Sequence, residues 1–197
     1  MNTFYTHNDL GVTYTKERST FRLWSPNAKS VHLYLYDKSY KSKPYEKIQL
    51  DQAENGTWVC EVEDDLHGVY YTYEIEYDDK TYELVDPYAK ACGVNGERGM
   101  VVDLSLTNPD GWENDKRPSL KSSVDTILYE LHIRDFTIHK TAGITNAGKF
   151  LGLTERNTKS REGLATSIDD LVELGITHLH LLPVTDYSGI NEHKLTK

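Results

Sequence analysis

From Leu10 to about Leu106 the chain alternates apolar and polar residues in twos, and this period limits the fold more than any other feature. In "TFRLWSPNAKSVHLYLYDK" Val31, Leu33 and Leu35 share one face while His32, Tyr34 and Tyr36 share the other. Successive side chains of a strand point to opposite sides, so such a run predicts half-buried strands and not helices. In "ENGTWVCEV" the pair Asn55-Gly56 stands before a β-rich run, where both residues tolerate the positive φ of a type I′ hairpin turn. "GVYYTYEIEYDDKTYELVDPY" predicts two more strands around Asp78-Asp79-Lys80, and "GMVVDLSL" a closing strand. Short strands at this spacing, with turns between them and no helical segment, predict an antiparallel, immunoglobulin-like β-sandwich over residues 1–107.

The stretch "TNPDGWENDKRPSLKSS" combines Pro109, Gly111, Pro118 and mixed charges with few apolar residues, and predicts a linker over residues 108–123. Beyond it, over 124–197, the periodicity changes. "VDTILYELHIRDFT" reads as one long strand, and "TSIDDLVELGITHLHLLPV" as a helix followed by a second strand. Thr166 or Ser167 would cap that helix, Asp169 and Asp170 would stand in its first turn, and Gly175 would end it. Ile168, Leu171, Val172 and Leu174 would form its apolar side. Strand, helix and apolar strand make a βαβ unit, whose parallel strands need cover on both faces.

The formal net charge of −9, with 22 Lys and Arg against 31 Asp and Glu, disfavours nucleic acid or an anionic membrane as partner. A neutral polymer remains compatible. The excess of 14 Tyr over 4 Phe supplies flat apolar faces that also carry a hydroxyl, suited to sugars and to sandwich cores alike. Cys60 and Cys92 lie far apart, so both read as buried free thiols and not as a disulfide. "MNTFYTHNDLGVTY" has neither a basic start nor an apolar core, which predicts a cytoplasmic protein, or a secreted one if its leader was trimmed.

"DTILYELHIRDFTIHKTAGITNAGKFLGLTERNTKSREGLATSIDDLVELGITHLHLLPVTDY" resembles the opening of the catalytic barrel of type I pullulanases, debranching enzymes of the α-amylase superfamily. Upstream, "TFRLWSPNAKSVHLYLYD", "LHGVYYTYEI" and "VDPYAKACGVNGERGMVVDL" resemble the family-48-type carbohydrate-binding module that precedes such barrels. The resemblance implies a sandwich followed by an incomplete (β/α)8 barrel, its first βαβ unit only. It also implies retaining hydrolysis of α-1,6 branch linkages in pullulan, starch or glycogen, by carboxylates on later barrel strands. No carboxylate of this chain matches those positions, so the expected catalytic set here is none, and the chain alone is expected to be inactive. The alternative is a non-catalytic α-glucan-binding module. Expected partners are an α-glucan polysaccharide or oligosaccharide and the remainder of the barrel; no cofactor or metal is expected.

Within this frame Asp135, Phe136, Asp186 and Tyr187 follow the two predicted strands and are expected at the rim of a substrate cleft. Glu130, His132 and Arg134 would share one strand face as a paired polar layer, and His178 and His180 lack a third ligand for a metal. Trp24 and Trp58 are the sugar-stacking candidates, although apolar neighbours favour core packing for both. The Gly-rich "VNGERGM" reads as a hairpin loop, since no helix follows to make it an anion cradle. Leu179, Leu181 and Ile133 would lie uncovered beside an open sheet edge, which predicts self-association.

Overall fold

The computed structural model describes residues 4–182, 184–185 and 189–194. Its strands in chain order are β1 (Gly11–Tyr14), β2 (Ser19–Trp24), β3 (Ser30–Tyr36), β4 (Glu46–Gln49), β5 (Asp51–Gln52), β6 (Thr57–Val62), β7 (Tyr70–Glu76), β8 (Thr81–Leu84), β9 (Gly99–Met100), β10 (Leu128–Leu131) and β11 (His178–Leu181). The chain divides into two compact units, Met1–Trp112 with Ser188–Lys197, and Glu113–Tyr187.

In the first unit two antiparallel sheets face each other, one in the order β1-β2-β6-β5 and one in the order β4-β3-β7-β8, with β9 also paired to β7. The inward residues are those that alternation selects. Phe21 and Leu23 of β2 and Trp58 and Cys60 of β6 meet Val31, Leu33 and Leu35 of β3 and Tyr71, Tyr73 and Ile75 of β7 in one cluster. Across the gap the Phe21 and Tyr71 rings meet edge to face at 5.2 Å, a favoured aromatic geometry. Asn55 (φ 54°) and Gly56 (φ 77°) both take the left-handed conformation, and Thr57 N donates to Glu54 O, so the type I′ turn joins β5 and β6. β7 and β8 pair around Asp78-Asp79-Lys80, closed by Tyr77 N to Lys80 O at 2.8 Å.

Two expectations in this unit need correction. The closing strand shrinks to Gly99–Met100, because Asp103 accepts from Ser105 N at 2.9 Å and winds Leu104–Thr107 into a 3-10 turn. Cys60 is buried, but Cys92 is exposed at the mouth of the hairpin that it closes opposite Gly99. The loop reading of "VNGERGM" agrees with that hairpin, in which Gly93 N donates to Arg98 O at 2.8 Å. Residues 104–128, which include the proposed linker, are exposed throughout.

In the second unit β10 and β11 pair in parallel, with Leu128 opposite His178 and Leu131 opposite Leu181. Between them in sequence come three short helices, α1 (Ile133–Thr137), α2 (Phe150–Thr154) and α3 (Ile168–Glu173). The long strand expected through "YELHIRDF" is thus cut at His132. There the imidazole Nδ1 accepts from Asp135 N, Thr137 Oγ1 donates to Ile133 O at 2.7 Å, and a helix begins. Ile133 and Phe136 then turn together onto the Leu131, Leu153 and Leu171 cluster. Leu179, Leu181 and Ile133, expected to be uncovered, are partly buried against that same cluster.

Helix α3 forms where the sequence places it and ends at Gly175 (φ 75°), with Asp169 and Asp170 in its first turn. Ser167 holds the cap position but its hydroxyl donates elsewhere, to Gly152 O at 2.8 Å and Leu153 O at 3.0 Å. Of the expected apolar side only Leu171 is buried; Val172 and Leu174 are exposed.

Candidate functional site

Because Phe21 and Leu23 turn inward, Thr20, Arg22 and Trp24 line the outer face of β2. Trp24 is 44% exposed, and its Nε1 donates to Asn55 O at 3.0 Å. The type I′ turn therefore holds one edge of the indole and leaves ring surface open to solvent. Beside it the Arg22 guanidinium lies 5.7 Å from the Tyr5 ring centre and 2.9 Å from Asp9 Oδ2. Tyr5 donates to Asp9 Oδ1 at 2.6 Å, and its ring lies 5.0 Å from that of His7. The Tyr5 hydrogen bond and the Arg22 charge hold the Asp9 carboxyl below its usual range. A surface hollow of about 420 Å³ opens among Tyr5, Thr6, His7, Asn8, Leu10 and Tyr88. Aromatic faces beside fixed donors and acceptors suit a polyol ring, which offers apolar C–H faces and equatorial hydroxyls.

Trp58 is placed differently. It is 5% exposed and donates Nε1 to Ser25 O at 2.9 Å, so both ring faces pack in the core. Tyr71 and Tyr73 are core residues as well, and only Tyr70 of that run is half-buried. The core role expected of both tryptophans holds for Trp58 and fails for Trp24, since alternation turns Trp24 away from Phe21 and Leu23.

On the outer face of the second sheet the structure assembles a network that sequence reasoning did not foresee. Tyr34 donates to Glu74 Oε2 at 2.5 Å, Lys47 donates to Glu74 Oε1 at 2.8 Å, and Tyr36 donates to Glu83 Oε1 at 2.6 Å. Lys47 and Tyr34 hold Glu74 below its usual pKa, whereas burial, followed by the bond to Glu83, pushes Tyr36 up to about 12. The outward set His32, Tyr34 and Tyr36 was the available signal, but pairing with Glu74 and Glu83 depends on β7 and β8 lying alongside.

In the second unit Asp135 sits on α1, exposed, with its Oδ2 3.4 Å from His132 Nδ1. Phe136 packs edge to face on Tyr129 at 6.1 Å. These two residues therefore leave the strand end where the sequence placed them. Asp186 and Tyr187 lie outside the described residues. Glu130 and His180 stand opposite each other in the parallel register, with 3.3 Å between His180 Nδ1 and Glu130 Oε2. His178 Nδ1 lies 3.0 Å from Thr177 Oγ1. Glu155 binds Thr145 N at 2.8 Å and Asn146 N at 2.6 Å, and these donors lower its pKa. Asp169 pairs with Arg156 at 2.9 Å. No group of three His, Cys, Asp or Glu among the described residues could hold a metal ion.

Residues 9–89 match the family model of carbohydrate-binding module 48, the isoamylase N-terminal domain. Over 193 residues the chain is 38% identical to the pullulanase of Bacillus subtilis (strain 168), covering 97% of this chain and 26% of that protein. It is 34% identical to chloroplastic pullulanase 1 of Arabidopsis thaliana, covering 94% of this chain and 20% of that protein. The crystal structure of a Paenibacillus barengoltzii pullulanase in complex with maltohexaose and α-cyclodextrin superposes with a TM-score of 0.92 at 42% identity, over all of this chain and 30% of that one. The chain thus spans about a quarter of the length of the curated relatives it matches. Residues 9–89 are thus similar to carbohydrate-binding module 48, and nearly the whole chain is similar to the N-terminal region of pullulanases.

Proposed function

We propose that this chain is the N-terminal part of a pullulanase-like debranching glycoside hydrolase acting on α-1,6-glucosidic linkages of pullulan, starch or glycogen. The observation that carries the reading is the homology to pullulanases at 38% identity over 97% of the chain. On this reading residues 1–107 are an α-glucan-associated sandwich, 108–123 a linker and 124–197 the start of the catalytic barrel. The parallel pairing of β10 with β11, with helices between them in sequence, supports the last assignment, because a barrel repeats that unit.

Retaining hydrolysis needs two carboxyl groups roughly 5 Å apart across the scissile bond, one of them kept protonated. Among the second unit's described carboxylates, Glu130 faces His180, Asp169 pairs with Arg156 and Glu155 accepts from two turn amides. The pKa of Glu155 moves down, the wrong direction for a general acid. On this reading the chain alone is inactive. A reducing-end assay on pullulan tests this: no sugar release is expected, and release from a clean preparation would refute it.

A second reading, α-glucan binding without chemistry, is favoured by the exposed, edge-anchored indole of Trp24. Titration calorimetry with maltohexaose should show binding that Trp24→Ala weakens; equal affinities for both proteins would set this reading aside. The unpaired outer edges of β10 and β11 among the described residues also support self-association, to be measured by sedimentation at increasing concentration.

A further inference from the structure

We propose that the hairpin turn Val94–Glu97, together with Tyr40, is a peptide-docking site whose occupant is this chain's own segment Asn191-Glu192-His193. The contacts are reciprocal. Asn95 N donates to Glu192 Oε2 at 2.5 Å, and Glu192 N donates back to Asn95 Oδ1 at 2.8 Å. One residue later, His193 Nε2 lies 3.3 Å from Glu97 Oε1, and the His193 ring lies 4.2 Å from the ring of Tyr40. A main-chain amide reads the carboxylate, a side-chain carbonyl reads the next amide, and an aromatic face with a carboxylate reads the imidazole. The set is polar and aromatic, and each contact falls on the Glu192-His193 pair.

The receptor side is held by contacts within the sandwich that do not involve the segment. Asn95 (φ 55°) and Gly96 (φ 66°) are both left-handed, which turns the Asn95 amide outward from the hairpin. Arg98 is 9% exposed and donates to Lys38 O at 2.6 Å, to Ser42 Oγ at 2.9 Å and to Ser42 O at 2.8 Å. Its guanidinium also lies 3.5 Å from the Tyr36 ring centre. One buried cation thus pins the 38–42 loop, and with it Tyr40, beside the turn. Gly93 completes the fit, since a Cβ there would stand 2.8 Å from Ser39 Cβ. The sandwich therefore offers a carboxylate-reading turn and an aromatic wall at one spot, and the Glu192-His193 pair fits both. The match between loop and segment is 96 or 97 residues apart in sequence, so local structure does not produce it.

Amide hydrogen exchange on the full chain tests the docking site, with each variant read at the other partner. Glu192→Ala and His193→Ala sit on the docked segment, away from the sandwich core, and should raise exchange at the Asn95 amide. Asn95→Gly keeps the left-handed turn but removes the side-chain acceptor, and should raise exchange at the Glu192 amide. Each rise is expected to be roughly fivefold, the weight of one net hydrogen bond, and confined to residues 92–99 and 189–194. Unchanged exchange at the partner amides would overturn the proposal. A rise spread equally through β3 and β7 would overturn it too, because the turn would then act on the fold and not on the segment.

Discussion

The Tyr71 hydroxyl donates to Asp86 Oδ2 over 2.8 Å in a region where both residues are almost free of solvent. Two positions along the same strand the Tyr73 hydroxyl is just as buried and has no hydrogen-bond partner among the described residues. Removing the two hydroxyls should therefore have opposite effects. Tyr71→Phe leaves Asp86 with only the Tyr88 amide and should cost about 1–3 kcal/mol, whereas Tyr73→Phe removes an unpaired buried group and should stabilise by about 1 kcal/mol. Urea denaturation of the two variants checks the signs; destabilisation of similar size in both would show that Tyr73 is bonded after all.

Burial raises the pKa of Asp86, more than the hydrogen bonds from the Tyr88 amide and Tyr71 lower it. The folded state then holds this proton more tightly than the unfolded chain does, so its contribution to stability falls as pH rises from the ordinary Asp value, about 3.9, through the raised one. Asp86→Asn keeps an acceptor for Tyr71 and should flatten the stability profile over that window. Parallel profiles for both proteins would contradict the shift.

Trp24 and Trp58 provide a second contrast within one residue type. Trp58→Ala empties a packed core site and should cost about 3–5 kcal/mol, read as a fall in the denaturation midpoint. Trp24→Ala removes an exposed ring and should cost less than about 1 kcal/mol, while weakening maltohexaose binding by about tenfold, or ~1.4 kcal/mol. A large stability loss at Trp24 with unchanged sugar affinity would return it to a structural role.

Glu155 organises the Thr145 and Asn146 turn as an ionised carboxylate, so its pKa lies below the ordinary Glu value of about 4.3. The turn should keep its structure above that value and lose it as pH falls through the depressed one. NMR shifts of the Thr145 and Asn146 amides should titrate with a midpoint below the ordinary Glu range in the native chain, and should not titrate there in Glu155→Gln. A midpoint at or above the ordinary value would rule the arrangement out.

Much of the sandwich was legible because each local signal agreed with the global one. Val31, Leu33 and Leu35 are all fully buried, and Asn55-Gly56 makes the turn that its residue types allow. The segment after Leu131 was not legible for a physical reason. Tyr129, Leu131 and Ile133 carry the strand alternation up to Ile133, whereas Ile133 and Phe136, three residues apart, fit a helix, and the cap from His132 and the Leu131, Leu153 and Leu171 cluster decide where the strand stops. Asp135 and Phe136 consequently moved from a strand end to a helix, while Trp24 moved from expected core to surface.

By itself the sequence determined which side chains alternate and where the tight turns fall, because these depend on neighbours a few residues apart, and the net negative charge that disfavours polyanionic partners, which is a sum over residue types. Tertiary structure alone decided which carboxylate holds which hydroxyl, that Trp58 is walled in while Trp24 faces water, and that Asn95 meets Glu192. Such choices depend on groups brought together across the chain, where burial and hydrogen bonding act on proximity in space and not on order along the backbone.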